Sequence, residues 1–339
     1  MKNILVTGGA GYIGSHVVVC LHQIGVNPII LDNFSNSDPS VLKGLKHITG
    51  KEFTVYKEDC LTPGIFDTIF REQQIDGVIH FAAKKAVGES VEKPLYYYEN
   101  NVSALINLLK SMLSNEIKNI VFSSSCTVYG QPESIPVTEQ APKQPANSPY
   151  GNTKQIDEEI LEDVVKSGAK LKSIALRYFN PIGAHSSGEI GELPIGVPSN
   201  LVPFITQTAI GKRKELTVFG NDYDTPDGTC IRDYIHVMDL ADAHVKALDI
   251  LDHEKSEGYF EAINVGTGTG STVLEAIKGF EKASRRELNY KIGPRRPGDV
   301  EKIYANGAYA KDRLNWEAKY SLEDAMRDAW NWEQRLAQR

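Results

Sequence analysis

Short apolar segments alternate with amphipathic segments through the first half of the chain. The apolar segments predict buried parallel strands at 4–6, 28–31, 53–56, 77–80, 120–122 and 172–176. Helical periodicity between them predicts helices at about 63–73, 94–114 and 149–167. Strands that alternate with helices indicate an α/β fold with a doubly wound parallel sheet of the Rossmann type.

The pattern loosens in the second half, where 183–198 has no clear periodicity and resembles a functional loop. Helices are predicted at about 237–251, 271–283, 306–314 and 321–336, with a further strand at 262–265. We therefore expect a larger Rossmann lobe at 1–180, to which the chain returns over about 231–265. A smaller α/β substrate-binding lobe is expected at 181–339.

The first predicted strand runs into a glycine-rich turn, Thr7 to Gly14, and then a helix with apolar positions at Ile13, Val17, Leu21 and Ile24. Such a turn brings bare backbone and helix N–H groups close to a pyrophosphate. The next strand ends at Asp32, where a carboxylate would accept the ribose 2′-hydroxyl. Asn33 follows instead of a basic residue, which favours NAD over NADP.

Polar or turn-forming residues follow several predicted strands. Ligands of doubly wound sheets bind at the carboxyl ends of the strands. The residues in question are Asp59, Phe81 to Ala83, Ser123 to Ser125, and Tyr178 to Asn180. Each alone also fits an ordinary loop or cap, and His80 fits a buried histidine with a hydrogen-bond partner.

Tyr150 and Lys154 are four residues apart on a predicted helix that starts at Ser148 and Pro149. A free phenol has a pKa near ~10, so a tyrosine base at neutral pH needs roughly 4 kcal/mol of stabilisation of its anion. One cation about 4 Å away supplies about that much. Lys154 is such a cation, and an oxidised nicotinamide ring would be a second. Chance alone produces roughly one such spacing among 15 tyrosines, so a surface helix remains an alternative.

Composition excludes several classes of function. The net charge of -7 argues against a nucleic-acid binder, and no apolar run approaches the ~18 residues needed to span a membrane. The four cysteines show neither a disulfide framework nor metal-ligand spacing. With no secretory signal at the start, the chain is expected in the cytoplasm.

Two basic segments in the second half fit a diphosphate, although surface ion pairs explain them as well. They are Arg232 before Asp233, and Arg295-Arg296 before Asp299. With these segments included, the chain resembles the UDP-glucose 4-epimerase family of the extended short-chain dehydrogenase/reductase superfamily from residue 3 to about 335. The resemblance rests on residues 7–14, 123–130, 150–154, 177–181, 232–236 and 296–299.

The resemblance implies an NAD-dependent isomerase that interconverts UDP-glucose and UDP-galactose. The sugar would be oxidised at C4, the 4-keto intermediate would rotate, and hydride would return to its other face. Tyr150 would take the proton of the 4-hydroxyl, Ser125 would hydrogen-bond the reacting oxygen, and Lys154 would hold the nicotinamide ribose and tune Tyr150. The family also pairs as a homodimer through helices equivalent to 94–114 and 149–167.

The resemblance further assigns binding residues. Cofactor contacts, some also indicated by the pattern above, fall on Gly8, Gly11, Tyr12, Ile13, Gly14, Asp32, Asn33, Asp59, Cys60, Phe81, Ala82, Lys85, Asn100, Ser123, Tyr150, Lys154 and Tyr178. Substrate contacts fall on Ser125, Tyr150, Phe179, Asn180, Asn200, Leu201, Phe219, Arg232, Tyr234, Arg296, Asp299 and Ile303. No metal site is expected.

Three points stay open at this stage. In the family, tyrosine at the position of Ile303 goes with a narrow sugar pocket and a small residue with N-acetylated sugars, so use of UDP-GlcNAc and UDP-GalNAc is undecided. A 4,6-dehydratase would carry an acid and a base beside Thr127, where this chain has Cys126 and Val128. A regulatory NAD-binding protein would not need both Tyr150 and Lys154.

Overall fold

The computed structural model describes residues 2–296 and 299–339. The strands are β1 (Asn3–Thr7), β2 (Asn27–Leu31), β3 (Thr54–Tyr56), β4 (Gly77–His80), β5 (Asn119–Ser125), β6 (Lys172–Tyr178), β7 (Asn180–Ile182), β8 (Leu216–Phe219), β9 (Ile231–Arg232), β10 (Tyr234–His236), β11 (Tyr259–Val265), β12 (Ser271–Thr272), β13 (Tyr290–Gly293) and β14 (Lys302–Ile303). The helices are α1 (Tyr12–Gln23), α2 (Ser40–Thr49), α3 (Ile65–Gln73), α4 (Val87–Glu92), α5 (Pro94–Ser114), α6 (Pro149–Lys166), α7 (Leu201–Ala209), α8 (Val237–His253), α9 (Val273–Ser284), α10 (Ala308–Leu314) and α11 (Leu322–Leu336).

A seven-stranded parallel sheet forms the larger lobe, in the order β11-β6-β5-β4-β1-β2-β3. Helices α1, α2, α8 and α10 cover one face, and α3, α5 and α6 cover the other. The five inner strands are buried on both faces, which explains their continuous apolar runs, whereas the edge strands β3 and β11 are partly exposed. The predicted doubly wound α/β class is therefore confirmed, with the strand order reversing between β1 and β4.

The smaller lobe combines α7, α9 and α11 with three short sheets, β7-β10, β12-β9-β14 and β8-β13. Side chains from α7, β8, α9 and α11 form its separate hydrophobic core. Capping boxes start two of these helices, Thr272 with Glu275 on α9 and Ser321 with Asp324 on α11. Within the described residues, no helix is long and apolar enough to cross a membrane.

Several sequence expectations differ from the structure in detail. Ile24 was predicted to lie on the buried face of the first helix, but it follows the last turn of α1 and is 60% exposed. Ser123 to Ser125 and Tyr178 are the last residues of β5 and β6, not loop residues after them. The strand predicted at 262–265 starts earlier and pairs with β6 in the large sheet. Helices α2, α4 and α7 were not predicted.

Candidate active site

Parallel register aligns the carboxyl ends of the strands along one side of the large sheet. Thr7 lies beside Leu31 and His80, and Ser125 lies beside Tyr178. We call this region, with the turns and helix starts that follow it, the sheet edge. His80 hydrogen-bonds Thr7 Oγ1 at 2.8 Å, and burial lowers its pKa to about 3, so the prediction of a satisfied buried histidine is confirmed.

The glycine turn between β1 and α1 has no room for side chains. Gly8 has φ +67°, and a Cβ there would lie 2.9 Å from the backbone nitrogen of Ala82. At Gly14 a Cβ would lie 2.3 Å from the carbonyl oxygen of Gly8. Gly11 caps α1 without a side chain, which leaves the N–H groups at Tyr12 and Ile13 available to an anion. The turn therefore fits a dinucleotide pyrophosphate.

Asp32 closes the turn from the end of β2. Its Oδ2 accepts a hydrogen bond from the N–H of Ala10 at 3.0 Å, and its Oδ1 accepts from Phe34 N and Ser37 Oγ, each at 2.9 Å. These bonds fix the carboxylate, and each oxygen can accept about two hydrogen bonds. Oδ2 therefore keeps capacity for a ribose hydroxyl, as the fit to NAD requires.

A pocket of about 160 Å³ extends the sheet edge beyond β2 and β3. It brings together three predicted cofactor residues, Asn33, Asp59 and Asn100, and Asn33 donates a hydrogen bond to Asp59 at 2.6 Å. Cys60 is buried beside Asp59. Sequence reasoning missed the other lining residues, which are Ser35, Leu61, Lys84, Tyr96 and Glu99. Lys84 lies over the Tyr96 ring at 5.4 Å, a contact between distant segments that no local pattern reveals.

The predicted cofactor residue Lys85 does not line this pocket. Its ammonium pairs with Glu192 at 3.3 Å, and the same carboxylate accepts a hydrogen bond from Asn200 at 2.6 Å. Glu192, in the irregular loop before α7, thus links a predicted cofactor residue to a predicted substrate residue. No motif or local pattern in the sequence indicates Glu192.

The predicted catalytic residues meet where β5, β6 and α6 converge. The Ser148 side chain caps α6 by accepting a hydrogen bond from Gly151 N at 3.1 Å. Lys154 donates to the carbonyl oxygen of Ser123 at 2.7 Å and lies over the Phe122 ring at 4.6 Å. The hydroxyls of Ser123 and Tyr178 hydrogen-bond each other.

The prediction that Lys154 lowers the pKa of Tyr150 towards neutral is wrong for the protein without a cofactor. Burial raises the pKa of Tyr150, with a further rise from Tyr178, and only a hydrogen bond with Ser125 opposes them. Burial also lowers the pKa of Lys154. The chain alone therefore does not make this phenol a base at neutral pH, and a further positive charge is required beside it.

A buried ion pair fixes α6 to the sheet. Arg177 on β6 donates two hydrogen bonds to Glu158, at 2.8 and 2.6 Å, and Ser124 donates a third to the same carboxylate at 2.5 Å. Because Glu158 is two turns beyond Tyr150, this contact holds the helix that carries Tyr150 and Lys154 against β5 and β6.

The smaller lobe presents a second set of predicted residues. Asp299 pairs with Arg296 at 2.7 Å and with Arg232 at 3.8 Å, and Arg296 lies over the Phe219 ring at 5.7 Å. We call Phe219, Arg232, Arg296 and Asp299 the arginine cluster. Pro297 and Gly298 of the same motif lie outside the described residues.

Other predicted substrate residues lie next to the arginine cluster or in the core. Ile303 is opposite Arg232 in the β9–β14 pair and packs with Cys126 and Phe179. Leu201 and Tyr234 pack in the core of the smaller lobe, where Tyr234 is opposite Asn180 in the β7–β10 pair.

Strand order, glycine turn and the Ser125–Tyr150–Lys154 arrangement define a dinucleotide-binding α/β protein with short-chain dehydrogenase/reductase features. The family model described as GDP-mannose 4,6 dehydratase matches residues 5–329. UDP-glucose 4-epimerase of Bacillus subtilis (strain 168) is 51% identical over 331 residues, which are 97% of this chain and 96% of the relative. UDP-glucose 4-epimerase 2 of Arabidopsis thaliana is 50% identical over 334 residues, 98% of this chain and 95% of the relative.

Solved structures agree. UDP-glucose 4-epimerase from Bifidobacterium longum in complex with NAD⁺ and UDP superposes with a TM-score of 0.94 at 46% identity, over 98% of each chain. The enzyme from Stenotrophomonas maltophila with bound NAD gives 0.96 at 44% identity, over 100% of this chain and 99% of the other. This chain belongs to the UDP-glucose 4-epimerase family.

Proposed function

We propose that the chain interconverts UDP-glucose and UDP-galactose by transient, NAD-dependent oxidation at C4 of the sugar. The observation that carries this function is the convergence of Ser125, Tyr150 and Lys154 at the end of β5, on the sheet edge that also includes the glycine turn. The chain is also about 50% identical to UDP-glucose 4-epimerases along its length. The bound NAD would supply a hydride acceptor and donor together with one positive charge.

The cofactor is held by the sheet edge in this proposal. The turn from Gly8 to Gly14 binds the pyrophosphate, Asp32 accepts from the adenosine ribose, and the pocket with Asn33, Asp59 and Asn100 takes the adenosine end. The remaining predicted contacts are Cys60, Phe81, Ala82, Ser123 and Tyr178. Lys85, also predicted, would have to leave its ion pair with Glu192 to reach the cofactor. An oxidised nicotinamide would supply the further positive charge that Tyr150 needs in order to act as a base at neutral pH.

The chain's own residues then have distinct tasks. Tyr150 removes the proton of the 4-hydroxyl, and Ser125 hydrogen-bonds both Tyr150 and the reacting oxygen. Lys154 holds the nicotinamide ribose and adds positive charge. The arginine cluster binds the UDP diphosphate and base, and the other predicted sugar-nucleotide contacts are Phe179, Asn180, Asn200, Leu201, Tyr234 and Ile303. The 4-keto sugar rotates about its link to this fixed diphosphate.

The dehydratase named by the family model is the second candidate. Its chemistry needs an acid and a base beside Thr127, but Val128 is apolar and burial raises the pKa of the Cys126 thiol to about 12. Cys126 is thus a poor proton donor or acceptor near neutral pH. We therefore favour epimerisation.

A coupled assay tests the function. Purified protein is given UDP-galactose, and UDP-glucose formation is followed through a UDP-glucose dehydrogenase; UDP-GalNAc is run in parallel for the question at Ile303. Epimerisation of UDP-galactose is the expected result. A stable 4-keto-6-deoxy product would favour the dehydratase, and the absence of any turnover would contradict both.

We further propose a homodimer through α5 and α6, in the cytoplasm. The sequence of α5 carries an apolar stripe at Tyr98, Val102, Leu105, Leu109 and Met112. It supports a dimer only in part, because Leu105, Leu109 and Met112 are buried in the core. Val102 and Tyr98 remain partly exposed, and Tyr98 accepts a hydrogen bond from Asn152 of α6.

Four unpaired cysteines are consistent with a reducing compartment. For the lobes, we propose 1–180 with about 237–265 and α10 as the larger lobe, and the remainder of 181–339 as the smaller. The expected return at about 231 is moved to 237 because β9 and β10 pair with strands of the smaller lobe, and α10 is added because it packs on the large sheet.

A further inference from the structure

A carboxyl group lies buried one turn beyond Lys154 and has no task in the function proposed above. Asp157 follows Lys154 by three residues on α6, a spacing that puts both on one face of the helix. Their side chains are buried, with 2% and 3% exposure. Asp157 Oδ1 has no hydrogen-bond partner within the described part of the chain. A buried polar atom without a partner calls for an explanation beyond packing.

The charges around Asp157 leave it facing Lys154. Glu158, the other acid on this turn, is engaged by Arg177 and by Lys143 at 2.9 Å. Groups on the elements that pack against α6 have partners of their own: Glu89 on α4 with Tyr97 on α5, Tyr129 after β5 with Asn264 on β11, and Glu261 on β11 with Arg313. In the described residues, Lys154 is the positive charge that acts on Asp157.

We propose that Asp157 is a positioning residue that keeps Lys154 protonated at the alkaline end of the enzyme's working range. The proposal rests on the epimerase function, in which a charged Lys154 holds the ribose and acts on Tyr150. Burial lowers the pKa of Lys154, and the negative charge of Asp157 acts in the opposite direction.

The titration of Asp157 agrees with this task. Burial raises the pKa of its carboxyl to about 7, while Lys154 acts in the opposite direction. The carboxyl is therefore ionised above neutral pH, where a buried lysine is most prone to lose its proton.

The first test compares Asp157→Asn with Asp163→Asn, a control at an exposed acid later on α6. Epimerase kcat is measured from pH 6 to pH 10. Asp157→Asn removes a negative charge three residues from Lys154 on α6, so the alkaline limb of its profile should move to lower pH by about one unit. The Asp163→Asn profile should match that of the unmodified protein.

A second readout needs no turnover. The carboxyl of Asp157 has a pKa of about 7 in the folded protein and about 4 in the unfolded chain. It therefore destabilises the fold increasingly as pH rises from about 4 to about 7, and by a constant amount at higher pH. The Tm of Asp157→Asn relative to the unmodified protein should therefore rise between pH 5 and pH 8. The apolar variant Asp157→Val should show the same trend, and it replaces Asp157→Asn if that variant does not fold.

The outcomes separate the two proposals. An active Asp157→Asn protein with an unmoved alkaline limb would overturn the role of Asp157 and leave the epimerase function standing. A Tm difference that keeps rising up to pH 10 would equally overturn it, because Asp157 would then stay protonated in the fold over the whole working range. An unmodified protein without epimerase activity would overturn both.

Discussion

The sheet edge and the arginine cluster differ in how far their side chains are fixed before any ligand arrives. At the sheet edge, Asp32 accepts three hydrogen bonds and Lys154 is buried between Ser123 and the Phe122 ring. In the arginine cluster, Phe219 is 42% exposed and the side chain of Arg296 is 56% exposed. Under the proposed function, the chemistry therefore falls to a region fixed by hydrogen bonds. Nucleotide recognition falls partly to solvated side chains, since Arg232 and Asp299 are only 16% and 13% exposed, and the ordering costs of binding fall on Phe219 and Arg296.

The largest effect is expected at Tyr150. In Tyr150→Phe, kcat should fall about 10³-fold, because the proton of the 4-hydroxyl loses its acceptor. The coupled UDP-galactose assay measures this, and Tyr290→Phe at an exposed tyrosine is the control. Bound nucleotide should stay unchanged. Near-normal turnover of Tyr150→Phe would show that Tyr150 is not the base.

Asp32 should give the next largest effect. Removing a charged acceptor in Asp32→Ala should weaken NAD binding about 10- to 100-fold. Nucleotide released on denaturing the purified protein measures retention, and titration of nucleotide-free protein measures the affinity. Asp38→Ala, at an exposed acid a few residues on, should behave like the unmodified protein. Equal NAD content in both variants would contradict the assignment of Asp32.

Arg295 and Arg296 provide a matched test of the arginine cluster, because only Arg296 belongs to it. Arg296→Ala should raise KM for UDP-galactose about 10-fold with a smaller change in kcat, because a charged contact to the diphosphate is lost. Arg295 instead pairs with Asp222 at 2.7 Å and lies over the Tyr223 ring. Arg295→Ala should therefore leave KM unchanged. An equal effect of both substitutions would show that the arginine cluster acts only through general positive charge.

The smallest effect is expected at Ile303, which lies between the two regions. Ile303→Tyr should lower the ratio of UDP-GalNAc to UDP-galactose turnover several-fold, and Ile303→Ala should raise it, because volume at this buried position changes the room beside Phe179 and Cys126. Competing-substrate assays measure the ratio. Identical ratios in both variants would place the limit on sugar size elsewhere.

The same contrast explains what the sequence could predict. Strands 4–6 and 77–80 and the turn to Gly14 follow from local periodicity and glycine spacing, so the sheet edge was recognisable. Three features of the site have no local pattern in the sequence. Two are contacts between separate segments, of Lys84 with the Tyr96 ring and of Glu192 with Lys85 and Asn200. The third is the missing hydrogen-bond partner of Asp157 Oδ1 within the described residues, which depends on burial. The direction of the Tyr150 pKa also depends on burial, which spacing alone does not contain.

The contact between Arg177 and Glu158 has a consequence for protein engineering. The segment with Tyr150 and Lys154 lies between a serine cap at one end and this ion pair at the other. Grafting the Tyr-x-x-x-Lys pair onto another scaffold would thus transfer the reactive groups without the two anchors that aim them. A transplant that extends from Ser148 through Glu158, with an arginine placed on the neighbouring strand, is the smallest unit that keeps both.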